Sequence, residues 1–296
     1  MQKDLISIIV PCFKQSHFLD DCLKSVIEQT YQDWECFIVN DGSPDNTEEI
    51  AQKWISKDNR FKYVYKENGG LSSARNAGME ISQGKYIQFL DSDDVLDKNK
   101  LEVSMEIVAN LSNNVETIVI TNFRMFIDNP LNSKTPFCQL NPELFNFRDI
   151  LLKWENSFSI PIHCGLFHTN LLNNFQFPEE LKAKEDWIMW LHIFQKKIHV
   201  SFVDKPLSYY RINPDGMTND FKLMQTNHMK AIEFIENVIP ANDYIDYLML
   251  ELKQKYSDNL KLKTTIYNYQ NSNTYKVAKI LKDTFLIKYF FKIIKK

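Results

Sequence analysis

Asp91, Asp93 and Asp94 follow directly on the apolar run Tyr86, Ile87, Gln88, Phe89, Leu90. Carboxylates this close repel one another, and grouping them at the exit of a buried strand makes sense when a divalent cation or hydrogen-bond donors offset the repulsion. Aspartate oxygens suit hard ions, so Mg2+ or Mn2+ is expected before zinc. Helix capping is the competing account: Asp94 or Asp97 would stand at the start of a helix near Lys98, where free N–H groups and the helix dipole favour acids. Capping accounts for one or two of these acids and leaves the group unexplained. Asp41, in the stretch Asn40-Asp41-Gly42-Ser43, has a ligand reading and a plain turn reading. Glu185-Asp186 likewise opens a helical stretch, where acids are favoured whatever their chemistry.

Strand-like and helix-like patterns alternate through the first half, as in an α/β unit with a largely parallel sheet. Strands are predicted at 6–11, 36–39, 61–65, 86–90 and 117–125. Helices are predicted between them: one from Phe18, with Ser16 as its cap, one at 46–55, one at 71–81, and one carrying Leu101, Met105, Val108 and Leu111 on a single face. Of the seven glycines, Gly42, Gly69, Gly70, Gly78 and Gly84 lie in the first 84 residues, at strand exits, loops or the helix facing the sheet. Ligands of open α/β sheets bind at the carboxyl ends of the strands, so Asp41, residues 68–70 and the acid cluster should converge there. Residues 128–142 hold three prolines and read as a long loop or lid. A helix is expected at 182–194 and an irregular strand at 200–211, with Pro206 interrupting it; beyond 222 the pattern is helical.

With 296 residues, of which 44% are hydrophobic, the chain can bury a sizeable core. A net charge of -3 gives no reason to expect nucleic acid. Five cysteines without C-x-x-C spacing argue against a disulfide framework or a thiolate zinc site. The short apolar stretch near the N-terminus is not a secretory segment, and no apolar run reaches the ~20 residues that span a bilayer. A cytoplasmic protein is the expectation, associated with the inner face of the membrane at most.

Five ordered blocks carry a resemblance: residues 7–13 (SIIVPCF), 39–45 (VNDGSPD), 68–78 (NGGLSSARNAG), 89–94 (FLDSDD) and 184–187 (KEDW). Together, over roughly residues 5–215, the chain resembles a family 2 glycosyltransferase of the GT-A fold. The resemblance implies an α/β architecture, a Rossmann-like mixed sheet flanked by helices, with a C-terminal helical extension. It places a catalytic domain at 1–222, with a nucleotide-sugar-binding half at 1–125 and an acceptor-side half at 126–222, and the extension at 223–296. It implies further that Pro11 and Phe13 wall the base pocket and that Asp41 accepts an imide N–H of the base. Arg75 and Asn76 would help fix the nucleotide and the acidic loop; Asp91-Ser92-Asp93 would be the D-x-D, with Asp93 on the metal and Asp91 on the ribose or the metal's water shell. Asp94 would be structural or near the sugar. Asp186 would be the catalytic base of an inverting transfer, with Glu185 and Trp187 beside it. In the late Tyr-Arg segment Arg211 could meet phosphate, while Asn213 stands where the family often has histidine. His163 lies where the family shapes its acceptor pocket, although a lone histidine is more often structural.

The implied activity is metal-dependent transfer of a sugar from a UDP-sugar to a hydroxyl of a glycan or lipid-linked glycan, in cell-surface polysaccharide or lipopolysaccharide synthesis. A sugar-nucleotide nucleotidyltransferase and a catalytically silent binding module are the alternatives. Residues 285–294 carry an apolar stripe flanked by lysines, which fits either an anionic membrane surface or docking on the core or a second subunit.

Overall fold

The computed structural model describes residues 4–111, 115–154 and 156–283; the apolar stripe at 285–294 lies outside them. In chain order the elements are β1 (Ile6–Cys12), α1 (Ser16–Ile27), β2 (Trp34–Asp41), α2 (Thr47–Lys57), β3 (Phe61–Lys66), α3 (Leu71–Ile81), β4 (Tyr86–Phe89), β5 (Val95–Leu96), α4 (Lys100–Ala109), β6 (Thr117–Phe126), α5 (Phe147–Lys153), β7 (Gly165–His168), α6 (Glu185–Phe194), β8 (His199–Arg211) and α7 (Phe221–Ile235), followed by α8 (Ala241–Asn271) and α9 (Asn273–Asp283). Contacts divide the chain into a unit Met1–Ile239 and a unit Pro240–Lys296. The division expected at 222/223 falls inside the first unit, which takes in α7. Among the described residues no helix is long and apolar enough to cross a membrane.

The strands form one sheet in the order β3-β2-β1-β4-β7-β6-β8-β5. β3, β2, β1 and β4 run parallel, while β7 is antiparallel to both of its neighbours and β5 is antiparallel to β8, which makes the sheet mixed. Every residue of β1 and β2 is buried, as expected for strands covered on both faces. On one face Ile6, Ile8 and Val10 join Leu19 and Leu23 of α1, Trp54 of α2 and Leu101 of α4 in a common apolar cluster. On the other face lies α3. A Cβ at Gly78 would stand 2.5 Å from Ile9 Cγ2, so the depth to which α3 seats depends on the missing side chain.

Local details depart from expectation where tertiary partners intervene. Ser16 does not cap α1: it is the first residue of the helix, and Asp45 Oδ2 accepts its backbone N–H at 3.0 Å. Residues 128–142 contain the short 3-10 turn Pro130–Asn132, lead into a second at Pro142–Leu144, and are bridged to β6 between Lys134 and Met125. α6 starts three residues later than expected because Lys184 takes a left-handed φ of 74°. β8 is irregular where Pro206 predicts, with register shifts against β6 between Thr121 and Phe123.

Lys100, the first residue of α4, is fully buried, and its ammonium donates to the Cys164 carbonyl at 2.7 Å. Burial drives its pKa from 10.5 down to about 7. Within that window the unfolded chain holds a proton that the folded chain lacks. Stability should therefore rise with pH by up to about 1.4 kcal/mol per pH unit, flattening below the folded value, where both states are protonated. Urea midpoints across this range should show the slope in the wild type and lose it in Lys100→Met. Superimposable pH profiles for the two proteins would refute the assignment.

Candidate active site

Loops at the carboxyl ends of β1, β2 and β4, together with the segment after β8, enclose a cavity of about 880 Å³, at the upper end of small-molecule sites. Pro11 and Phe13 line it from the exit of β1. Asp41, Asp91, Asp93, Asp94 and Arg211 also line it.

Asp41 is 2% exposed and ends β2. Its Oδ1 accepts from Lys66 Nζ at 2.8 Å and from the Gly69 N–H at 3.0 Å, and its Oδ2 accepts from Asn68 Nδ2 at 3.1 Å and from the Gly70 N–H at 2.7 Å. A carboxylate offers about four acceptor sites, so this one is filled by the 66–70 segment. Gly70 reaches it at φ 95°, a backbone conformation suited to glycine. A base N–H at Asp41 would have to take the place of one of these donors.

The acid cluster divides its labour through its donors. Asp91 Oδ1 pairs with Arg75 Nη2 at 2.7 Å, and Arg75 Nη1 pairs with Glu185 Oε1 at 2.7 Å. Arg75 is 1% exposed, and its guanidinium lies over the Phe177 ring. It pairs with the acidic loop but does not line the cavity. Asp94 is buried; its Oδ1 accepts the Arg211 backbone N–H at 2.8 Å and its Oδ2 meets His163 Nδ1 at 2.9 Å. Neither Asp94 nor Asp97 places its side chain as the cap of α4, whose N-cap is Asn99. Ser92, the middle residue of the D-x-D, is fully buried and donates to Gln15 Oε1 at 2.6 Å, so its hydroxyl holds Gln15.

Asp93 differs from its neighbours. Its Oδ2 accepts from Gln15 Nε2 at 3.1 Å and Asn213 Nδ2 at 3.3 Å, both neutral amides. Burial, followed by the charges of Asp94 and Asp91, pushes its carboxyl up to about 7. A cation would relieve that strain, so the donor set fits a hard divalent ion. Among the described residues no three or more His, Cys, Asp and Glu side chains cluster as metal ligands.

Asn76 is placed away from the cavity. Its amide bonds the Phe177 backbone in both directions, at 2.9 and 2.8 Å, which replaces its expected nucleotide contact with a structural one. Arg211 is clasped between Phe18 and Phe126 and donates to the Asp93 and Ile127 carbonyls and to Asp21. Trp187 is buried, donating Nε1 to the Ile150 carbonyl.

Glu185 and Asp186 form the first turn of α6. Burial pushes both carboxyls up, against the pull of the Arg75 guanidinium. Asp186 is half-buried, and the Asp91 charge raises it further. Such a carboxyl, with its proton affinity increased, suits a proton acceptor. Gln15 and Lys182 enter the site without a motif to announce them; only their long-range contacts identify them. Arg75→Met would leave two acids without their cation and should destabilise the protein by about 3–5 kcal/mol in urea unfolding at neutral pH. A loss under about 1 kcal/mol would show that Asp91 and Glu185 do not depend on it.

Residues 7–175, more than half of the chain, match the family model Glycosyl transferase family 2. The chain is 30% identical over 234 residues to the uncharacterized glycosyltransferase EpsJ of Bacillus subtilis, covering 76% of this chain and 67% of that one. It is 29% identical to the Escherichia coli UDP-Glc:alpha-D-GlcNAc-diphosphoundecaprenol beta-1,3-glucosyltransferase WfgD, covering 86% of this chain and 96% of that protein. Other curated relatives are longer, and the chain spans 34% or less of several of them. Among solved structures, residues 1–349 of TarS from S. aureus in complex with UDP-GlcNAc align with a TM-score of 0.63 at 20% identity, covering 85% of this chain and 73% of that one. With both sequence and fold in agreement, the chain belongs to glycosyl transferase family 2 and has the GT-A fold.

Proposed function

We propose that the protein is an inverting glycosyltransferase that uses a divalent cation and moves a sugar from a UDP-sugar to a hydroxyl of a glycan or lipid-linked glycan, in the assembly of a cell-surface polysaccharide. One observation carries the reading: Arg75 ties Asp91, at the exit of a central strand, to Glu185, the neighbour of Asp186. The two groups of acids that the reaction needs are thereby tied to one guanidinium, the first of them on the cavity wall. The UDP-sugars in the descriptions of WfgD and TarS support the choice of donor, and the diphosphoundecaprenol in that of WfgD supports a lipid-linked acceptor.

In this mechanism Asp93, with Asp91, would hold Mg2+ or Mn2+. When bound, the ion supplies Lewis-acid stabilisation of the charge that develops on the departing diphosphate. Pro11 and Phe13 flank the base, and Asp41 orders the glycine loop beneath it. Lys66, on a flexible stem, is the donor that Asp41 can exchange for the imide N–H. Asp186 removes the proton of the attacking hydroxyl on the face opposite the leaving group. Arg75 pairs with Glu185 and so holds the start of α6 against the acid strand. The acceptor side is assigned to residues 126–222, extended by Leu223, which also lines the cavity.

A panel of nucleotide-sugars should give UDP release from one or two donors with Mn2+ and none after chelation. Absence of release from every donor, with or without metal, would sink the proposal. Asp186→Asn should lower turnover by about a hundred- to ten-thousand-fold while UDP affinity is kept. Wild-type turnover in that variant would remove Asp186 as the base.

A further inference from the structure

Lys182 lines the same cavity as Pro11 and Phe13, three residues before α6 begins. Its backbone is held firmly. The Lys182 N–H donates to Asn227 Oδ1 at 2.7 Å, and Asn227, 3% exposed on α7, is itself fixed through Nδ2 to the Leu223 carbonyl. The side chain crosses to the glycine loop, where Nζ donates to the Gly69 carbonyl at 3.0 Å. A Cβ at Gly70 would lie 2.8 Å from that ammonium and 3.5 Å from Cδ, so the stem rests where residue 70 has no side chain.

The charge of Lys182 has no counterpart. Among the described residues it pairs with no carboxylate, and its hydrogen-bond partner is a neutral carbonyl. The other cations of the cavity wall are engaged: Arg211 donates to two carbonyls and Asp21, and the Lys14 ammonium lies over the Phe13 ring. A diphosphate offers the ammonium an attraction between full charges that a neutral carbonyl lacks, and lysine serves phosphate as a compact point charge. A diphosphate entering the cavity would therefore draw the Lys182 ammonium away from Gly69.

We infer that Lys182 is a diphosphate-binding residue of this site, recognising the diphosphate of either the nucleotide donor or a lipid-linked acceptor. The inference rests on the reading of the cavity as a sugar-nucleotide site. Neither the acid cluster nor the late acid pair requires a cation at position 182.

Titration calorimetry with UDP, uridine and farnesyl diphosphate, in the presence of Mn2+, separates the sources. Lys182→Gln should weaken a diphosphate probe by about tenfold or more, leave uridine unchanged, and be partly rescued by Lys182→Arg. Weakened UDP would assign Lys182 to the donor; weakened farnesyl diphosphate with intact UDP would assign it to the acceptor. Wild-type affinity for both probes in Lys182→Gln would overturn this inference alone. A wild-type protein that binds neither probe would overturn the functional reading and this inference with it.

Discussion

The site depends on a buried guanidinium shared by two carboxylates. Arg75 has lost nearly all of its water, and its planar fork reaches Asp91 with one nitrogen and Glu185 with the other. A desolvated cation of this kind is tolerated only where its partners are held in good geometry. That requirement passes down to the packing of α3. Gly78 lets the helix seat on Ile9, which sets the height from which Arg75 reaches both acids. A side chain at position 78 would act on the chemistry without touching it, by lifting the helix that carries the guanidinium.

Around that centre the aspartates are told apart by their donors. Asp41 is filled by a loop, Asp94 by a histidine and a backbone N–H, and Asp91 by the guanidinium. Asp93 has amides alone, and its proton affinity is pushed up toward neutrality. Like charges packed together leave the least compensated member readiest to take a positive partner. The arrangement thus singles out one carboxylate from chemically identical neighbours, and does so with groups that come from β6–β7 connections and the end of β8 as well as from its own loop.

Much of this was legible in the sequence. The parallel half of the sheet shows in its alternation of short apolar runs and helical faces, and the acid cluster in its position at a strand exit. Order within the antiparallel half did not show, because β7 is four residues long and β5 two, too short for periodicity to mark. Side-chain direction was hidden as well. Ser92 sits between two cavity-facing aspartates yet points to Gln15, and Asn76 follows Arg75 yet bonds the Phe177 backbone. Adjacent positions on a turn or a helix face different ways, and a motif written as a string of letters does not carry that. Lys182 belongs to no recognisable spacing; its placement comes from Asn227, far along the chain on α7.

The irregularity in β8 bears on how this chain can change in length. Val203 pairs with Thr121 and Ser208 with Phe123, so five positions of one strand are taken up against two steps of the other. Beyond the irregularity, Ser208 and Tyr209 are pinned a second time by Leu96 and Val95 of β5. The stretch between works as slack in a line that is tied at both ends. A residue gained or lost there is absorbed where it occurs, and Arg211 keeps its place between Phe18 and Phe126.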